Sequence, residues 1–192
     1  MASGPRYRVK LRRRREGKTN YYKRRELLKS GKLRLVIRRS TKHMRVQVIK
    51  AMPDGDITLA DASSYNLKNY GWKLNGTNLP AAYLTGYLAG KKAVAEGIEE
   101  AILDLGLQSN SQGSRIYAAL KGVIDAGIEV PAGEEIFPEE SVIKGEHIQH
   151  AANSYDDDEF KETFATYQEE SVSADAIPDL VDKVISSIDG KF

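Results

Sequence analysis

The 192-residue chain contains no cysteine, only three histidines and a single tryptophan. The absence of cysteine excludes disulfide bonds and thiolate chemistry, and it argues against a secreted, cross-linked domain. No apolar run approaches the roughly 20 residues that a helix needs to cross a bilayer. The basic N-terminus is also not followed by an apolar stretch of the kind found in signal peptides. We therefore expect a cytosolic protein with no membrane partner.

The chain has enough apolar residues to form a true hydrophobic core. Hydrophobic residues make up 41% of the sequence, and a chain of this length should bury about 70% of the surface that it exposes when unfolded. The length suits either one core domain with extensions or two small domains.

The formal net charge of +2 conceals a strong separation of charge along the chain. Residues 1–50 contain 19 basic and two acidic residues, whereas the remaining 142 residues contain 10 basic and 25 acidic residues. Such asymmetry predicts a basic part that meets a polyanion and an acidic part that faces elsewhere.

Composition and hydrophobic patterning predict three segments. Residues 1–18, called the basic arm below, are too charged to bury much surface and are expected to be disordered alone. Residues 19–128 are predicted to form an α/β core. Residues 129–192, which contain 17 acids and four lysines, are predicted to be an acidic helical extension that wraps the core or meets a protein partner. Amphipathic helices are expected there at Phe160–Glu169 and Pro178–Ile188.

The core is predicted to begin with a short helix and a three-stranded meander. Residues Thr19–Lys29 read as the helix, with Thr19 or Asn20 as its N-cap. Alternating or β-rich runs then predict three strands joined by two turns. The strands are Leu33–Arg39, Met44–Ile49 and Ile57–Ala60, and the turns are Ser40–His43 and Pro53–Asp56.

The second half of the core changes to helical periodicity. A short helix is predicted over Ser63–Tyr70, and a long helix should follow Pro80, which fits the first turn of a helix. The apolar run Ala101–Leu107 suits a strand buried on both faces, and Ser114–Ala126 suits another helix. This order predicts an α/β fold with a sheet and flanking helices.

Arginines and lysines interleaved with tyrosines are the strongest functional signal. Arginines neutralise phosphates and release counterions, and tyrosines can stack on unpaired bases. The alternatives are an ordinary basic tail, a nuclear-type signal or a membrane-surface patch, although the arm lacks the apolar face that membrane insertion needs. The candidate nucleic-acid-binding residues are Arg6, Arg8, Lys10, Arg12, Arg13, Arg14, Arg15, Lys18, Tyr21, Tyr22, Arg24 and Arg25.

A second cluster of cations lies at the predicted turn between the first two strands. Charges held by strands have fixed spacing and can position phosphates better than a flexible arm. The alternative is a solvated hairpin whose charges protect an edge strand. The candidate residues of this hairpin end are Arg38, Arg39, Lys42, His43 and Arg45.

Signals for an enzyme are weak by comparison. The segment Gly86–Lys91 looks like a phosphate-binding loop but is one residue short, and Lys92 stands where a magnesium-binding hydroxyl is needed. Two glycines on one helix face explain it better. Trp72 and Tyr83 fit core or loop anchors better than base-stacking platforms.

Acidic residues and histidines do not form a persuasive metal site either. Asp54 and Asp56 flank a turn glycine, which favours a simple hairpin turn over a carboxylate cluster with Asp61. Glu146, His147 and His150 have helical spacing but lack further histidine or cysteine ligands. We therefore predict no catalytic residue, no metal and no cofactor; a nucleic-acid-processing enzyme or regulator that uses the same arm is the alternative.

The most specific signal in the sequence lies in six segments: Tyr21–Val48, Ser64–Trp72, Asn78–Gly86, Ala118–Gly122, Gly133–Glu135 and Gly145–Ile148. Together they resemble the family of large-subunit ribosomal protein number eighteen, which binds 5S rRNA, in its archaeal form. The resemblance covers roughly residues 5–150.

The resemblance implies a fold, a location and a set of partners. The core would be a mixed-sheet α/β unit related to the ribonuclease H-like motif. The protein would be a non-enzymatic constituent of the large ribosomal subunit, in the central protuberance of a cytoplasmic ribosome. It would bind 5S rRNA through the arm, Arg24, Arg25 and the hairpin end, and help attach it to 23S rRNA beside the other 5S-binding protein.

Overall fold

The computed structural model describes residues 4–155, 167, 173 and 176–192. Its centre is a four-stranded mixed sheet. The strands are β1 (Arg34–Arg39), β2 (Met44–Met52), β3 (Gly55–Ser63) and β4 (Ile102–Asp104). Their order in the sheet is β3-β2-β1-β4. Strands β1 and β2 and strands β2 and β3 pair antiparallel, whereas β4 pairs parallel with β1. The predicted α/β fold with a mixed sheet and flanking helices is confirmed.

Helices flank this sheet, and side-chain caps explain where two of them begin. The Asn20 carboxamide accepts hydrogen bonds from the N–H groups of Tyr22 and Lys23. Asn78 caps the helix that begins at Leu79 in the same manner. None of the described helices is long and apolar enough to cross a bilayer. The α-helices are α1 (Arg12–Arg15), α2 (Tyr21–Lys29), α3 (Leu79–Ala95), α4 (Arg115–Asp125), α5 (Glu140–Lys144), α6 (Glu146–Ser154) and α7 (Ile177–Asp189), and 3-10 helices span Ser64–Tyr70 and Glu134–Ile136.

The predicted meander is confirmed, and its second and third strands are longer than the sequence pattern indicates. Strands β1 and β2 pair up to Arg39 opposite Met44, so that the predicted turn joins them. Strands β2 and β3 pair up to Met52 opposite Gly55. The third strand therefore begins two residues before the predicted Ile57, because hydrogen bonding continues into the turn.

The prediction for the fourth strand was wrong in length and burial. The apolar run Ala101–Leu107 forms only the three-residue strand β4, in which Ile102 and Leu103 are half-buried and Asp104 is buried. The physical reason is its position: β4 is an edge strand, paired only with β1. Gly106, with φ of +62°, turns the chain away soon after the strand.

Helices α3 and α4 cross so closely that glycine is required on both. A Cβ atom added to Gly86 would collide with the carbonyl oxygen of Ala119, and one added to Gly122 would collide with that of Tyr83. The predicted helix with a glycine face is thus confirmed for the segment that resembles a phosphate loop.

The C-terminal helix α7 packs into the same core as the rest of the protein. Its residues Ile177, Val181, Val184 and Ile188 are buried, and the predicted amphipathic helix here is confirmed. At its C-terminal end, Asp189 accepts hydrogen bonds from the Tyr87 hydroxyl and the Lys91 ammonium, each at 2.8 Å. The other predicted amphipathic helix, Phe160–Glu169, lies outside the described residues apart from Tyr167, which is buried.

The two faces of the sheet differ in what covers them. Leu35 and Ile37 of β1 and their neighbours Val46 and Val48 of β2 point to the face that α3 and α4 cover, and all four are buried. Side chains alternate along a strand, so the opposite face of β1 carries Arg34, Val36 and Arg38. This second face, called the open face below, meets α2 and the basic arm across a groove.

Candidate nucleic-acid interface

The described part of the basic arm presents its cations to solvent. Its one regular element is the single turn α1, which consists of four arginines and buries no residue. The Arg13 guanidinium donates a hydrogen bond to the Thr19 hydroxyl at 2.9 Å, and Arg14 lies 5.2 Å from the centre of the Tyr22 ring. The sequence did not predict this turn, and the expected disorder of the arm when it is alone stays a prediction. The exposed cations are Arg6, Arg8, Lys10, Arg12, Arg13, Arg14, Arg15 and Lys18.

Helix α2 presents two of its predicted site residues differently. Arg25 is exposed and pairs with its neighbour Glu26, at 3.3 Å. Arg24 donates hydrogen bonds to both carboxylate oxygens of Asp56, at 2.9 and 2.7 Å, and this bonding raises its pKa. Bidentate pairs of this kind are directional and comparatively strong. Arg24 therefore ties α2 to strand β3.

Asp56 is one member of an ion-pair chain that crosses the open face. Arg34 donates to Asp56 from Nη2 and to Asp104 from Nη1, each at 2.7 Å. Arg38 donates from Nη2 to the other oxygen of Asp104 at 3.0 Å. Arg34 is only 3% exposed, and a buried charge needs such partners. The resulting order Arg24–Asp56–Arg34–Asp104–Arg38 links α2 with three strands.

Both aspartates of this chain are held in the ionised form. The hydrogen bonds from Arg24, together with the charge of Arg34, keep the pKa of Asp56 below its ordinary value despite burial. Burial alone would raise the pKa of Asp104, but the hydrogen bonds and charges of Arg38 and Arg34 outweigh it, and the pKa is lowered. Three arginines and two carboxylates leave this row of ion pairs with one net positive charge.

Arg38 is locked in place by more than its carboxylate partner. Its Nη1 donates to the carbonyl oxygens of Ile37 and Asp104, at 2.8 and 2.6 Å. The guanidinium also lies against Gly106, where an added Cβ would be 2.9 Å from Nη2. Three of the five N–H groups of an arginine are thus used inside the protein, so Arg38 acts mainly as an anchor.

Arg39 and Lys42 of the hairpin end, in contrast, are exposed. Among the described residues, the Arg39 guanidinium makes one long hydrogen bond, to the Ser109 hydroxyl at 3.2 Å. The loop that carries Lys42 is closed by the Ser40 N–H, which donates to the His43 carbonyl oxygen at 2.8 Å. These two cations combine solvent access with a backbone fixed by the strands.

Arg45, the last predicted cation of the hairpin end, is paired across the sheet. Its Nε donates to Asp61 at 2.8 Å, and the same bond raises the pKa of Arg45. Three of the predicted cations, Arg24, Arg38 and Arg45, are thus engaged by aspartates of the sheet, although the Arg45 side chain remains 59% exposed.

The groove between the arm, α2 and the open face has a volume of about 1140 Å³. Cations from both sides line it, among them Arg13, Lys18 and Arg38. Tyr21 and Tyr22 line it as well, with Tyr22 61% exposed. The groove thus places aromatic rings beside guanidinium groups.

Three residues of this interface were missed by the sequence analysis: Arg34, Asp56 and Asp104. Asp56 was considered for a carboxylate cluster and assigned to a turn. The four-residue spacing of Arg34 and Arg38, with three apolar residues between them, is the one signal that puts two arginines on the same strand face. Their acidic partners are 22 and 66 residues away in sequence, so pattern alone does not reveal them.

Among residues 4–155 and the described C-terminal positions, no group of three or more His, Asp or Glu side chains could hold a metal ion. Of the aspartates considered at the turn, Asp56 and Asp61 are engaged by arginines. Trp72 is 1% exposed, and Tyr83 donates its hydroxyl proton to Asp125 at 3.0 Å. Both therefore act as anchors, as predicted.

Comparison with known proteins agrees with the resemblance inferred from the sequence. A family model described as "Ribosomal large subunit proteins 60S L5, and 50S L18" matches residues 5–99 and 95–133. Relatives named "Large ribosomal subunit protein uL18" are 48% identical in Methanothermobacter thermautotrophicus, 50% in Methanosphaera stadtmanae and 46% in Thermofilum pendens. Each comparison covers 98% of this chain and 98% of the relative. The chain therefore belongs to the family of ribosomal large-subunit proteins 60S L5 and 50S L18, a family of structural ribosomal proteins and not of enzymes.

Proposed function

We propose that this protein is a structural constituent of the large subunit of the cytoplasmic ribosome and that it binds 5S rRNA. It helps attach 5S rRNA to 23S rRNA in the central protuberance, beside the other 5S-binding protein. Membership of the ribosomal family supports the large-subunit role. The 5S rRNA and the position in the subunit rest on the resemblance of the sequence segments described above.

One observation carries the RNA-binding proposal: exposed arginines of the arm and a fixed hairpin end are present in one chain. An RNA backbone can be bound through charge alone by mobile cations. Recognition of one RNA among many needs contacts at defined spacing. The arm supplies the first property and the strand-held cations Arg39 and Lys42 supply the second.

The internal ion pairs divide the predicted site residues by role. The arm cations, Arg25, Arg39 and Lys42 contact RNA directly, because their charges are exposed. Arg24, Arg38 and Arg45 instead hold α2 and the strands in the geometry that RNA requires, with part of each guanidinium left for additional contacts. Tyr21, Tyr22 and His43 contribute ring contacts to RNA.

We also propose that the core belongs to the ribonuclease H-like motif. Three consecutive antiparallel strands followed by a parallel fourth strand support this assignment. Fold alone carries no activity, and the aspartates of the open face are occupied by arginines.

Equilibrium binding to 5S rRNA and to an unrelated structured RNA of equal length tests the proposal. At moderate salt, we expect clear preference for 5S rRNA and co-sedimentation of the protein with large ribosomal subunits. Equal affinity for the two RNAs, or a protein found only free of ribosomes, would contradict it.

A further inference from the structure

Tyr65 is an aromatic residue whose exposure packing does not explain. It lies in the 3-10 helix that follows β3, and 64% of the residue is exposed. In the same helix, Leu67 and Tyr70 are buried. A large ring left in solvent beside a cationic loop is typical of nucleic-acid-binding surfaces, where bases stack on aromatic side chains.

The surroundings of Tyr65 suit a base that carries phosphates on either side. The His43 ring of the hairpin end meets Tyr65 edge to face, with 6.2 Å between ring centroids and an interplanar angle of 87°. The Lys68 ammonium lies 5.5 Å from the centre of the Tyr65 ring. Lys42, one residue before His43, is exposed at the same end of the sheet. One ammonium group and a histidine thus border the ring, and a second lysine lies in the same loop as that histidine.

Ser64, which is 3% exposed, fixes the 3-10 helix that carries Tyr65 to the hairpin end. Its hydroxyl oxygen accepts a hydrogen bond from the Met44 N–H at 3.2 Å and lies 3.4 Å from Nδ1 of His43. A Cβ atom added to Gly76 would be only 2.7 Å from that hydroxyl, so glycine lets the loop close over it. The 3-10 helix and the hairpin end are therefore joined before any ligand binds, which lowers the entropy cost of stacking.

We propose that Tyr65, bordered by His43, is a stacking platform for one unpaired RNA base, with Lys42 and Lys68 meeting the flanking phosphates. This inference rests on the proposed RNA-binding function and adds the RNA feature that is recognised: a single-stranded loop or bulge beside the hairpin end. A paired base presents no free face to a ring, so a continuous duplex cannot use the platform.

Three variants test the platform: Tyr65→Ala removes the ring, Tyr65→Phe keeps it, and Phe192→Ala removes a ring that is 48% exposed at the C-terminus. Affinities are measured for 5S rRNA, for a mixed-sequence single-stranded RNA and for a continuous RNA duplex. Loss of one base stack corresponds to a decrease of about 5- to 150-fold. We expect that decrease for Tyr65→Ala on 5S rRNA and on the single strand, and near wild-type binding for the other two variants.

Two further measurements show whether the effect is specific to base stacking. The affinity of Tyr65→Ala for the duplex should stay within about 2-fold of wild type, and its salt dependence on 5S rRNA should be unchanged, because stacking releases no counterions. Equal losses on duplex and single strand would overturn the platform, as would wild-type binding of Tyr65→Ala to 5S rRNA, the result expected if the ring instead contacts a protein.

The single strand separates this inference from the proposed function. If the wild-type protein shows no preference for 5S rRNA, the proposed function fails, yet a Tyr65-dependent loss on the single strand would still support the platform. If 5S rRNA is preferred and Tyr65→Ala retains that binding, only the platform fails.

Discussion

The basic arm and the hairpin end carry similar cations on opposite kinds of support. The described part of the arm has one helical turn of four arginines without a buried residue. The hairpin end continues strands whose inner side chains are buried, and Arg38 within it makes three hydrogen bonds to the protein. Charge density alone therefore does not define a recognition site. We expect cations on a fixed backbone to recognise the spacing of phosphates, and cations without such support to recognise only their negative charge.

Deleting residues 1–18 is the largest expected perturbation and isolates the arm. If the arm neutralises about six phosphates, the slope of log affinity against log salt should fall by roughly four to five. The loss should be similar for 5S rRNA and for an unrelated RNA, since phosphates are alike in both. Salt titrations with both RNAs measure it. A slope that stays at the wild-type value would show that the arm does not contact phosphates.

The second perturbation breaks an ion pair that holds the hairpin end in place. Asp104→Ala removes the carboxylate acceptor of Arg38, which keeps its carbonyl acceptors. It leaves the buried Arg34 with Asp56 as its remaining carboxylate. Breaking a buried ion pair in this way costs about 3–5 kcal/mol of unfolding free energy. Urea denaturation measures this cost.

The matched control for that substitution is Glu26→Ala. Glu26 accepts from Lys29 and Arg25 on the exposed surface of α2, where ion pairs contribute little. Stability should therefore hardly change in the control. Equal stability of both variants would mean that the ion-pair chain does not support the hairpin end.

Ile188→Ala lowers the stability of the protein at a site away from both the basic arm and the hairpin end. Ile188 of α7 is fully buried, so truncation should cost about 2–5 kcal/mol. The half-buried Ile185 of the same helix serves as control and should cost less when truncated to alanine. The ratio of 5S to unrelated RNA affinity should be unchanged in both. A changed ratio would show that global stability, and not local support, governs recognition.

The pH dependence of stability provides a smaller test of the same ion-pair chain. The pKa values of Asp56 and Asp104 are lowered in the folded protein. Their contribution is therefore complete above the ordinary carboxylate pKa of about 3.9 and is lost as the pH falls below it. Thermal melts between neutral and acidic pH should show this loss, and Asp56→Asn should reduce it. An identical pH profile in that variant would exclude Asp56 from the effect.

Much of the fold was predictable from the sequence because periodicity and caps are local. Asn20 and Pro80 mark helix starts that the structure places within a residue or two of the prediction. An apolar run does not reveal whether a strand lies at a sheet centre or edge, and β4 was mispredicted for this reason. The short helices α5 and α6 were missed, since five and nine residues give little periodic signal.

The candidate site was predictable only in its exposed part. Runs of arginine identify the arm without knowledge of tertiary structure. The internal engagement of Arg24 and Arg38 depends on aspartates 32 and 66 residues away. Tyr65 escaped notice because the exposure of an aromatic ring is set by tertiary packing; Trp72, considered as a base platform, is buried instead.

The most direct test of the central claim compares two variants on two RNAs. The claim is that the arm supplies general affinity and the hairpin end supplies specificity. Arg39→Ala combined with Lys42→Ala removes two exposed cations of the hairpin end, with one long hydrogen bond lost inside the protein. This double variant is set against deletion of residues 1–18.

The measured quantity is the ratio of affinities for 5S rRNA and for an unrelated structured RNA at one salt concentration. The double variant should lose roughly 1–3 kcal/mol more on 5S rRNA than on the unrelated RNA, because hydrogen bonds from charged groups have about this value. The arm deletion should weaken both RNAs and leave the ratio unchanged. A double variant that loses both RNAs equally, or an arm deletion that abolishes the preference, would contradict the claim.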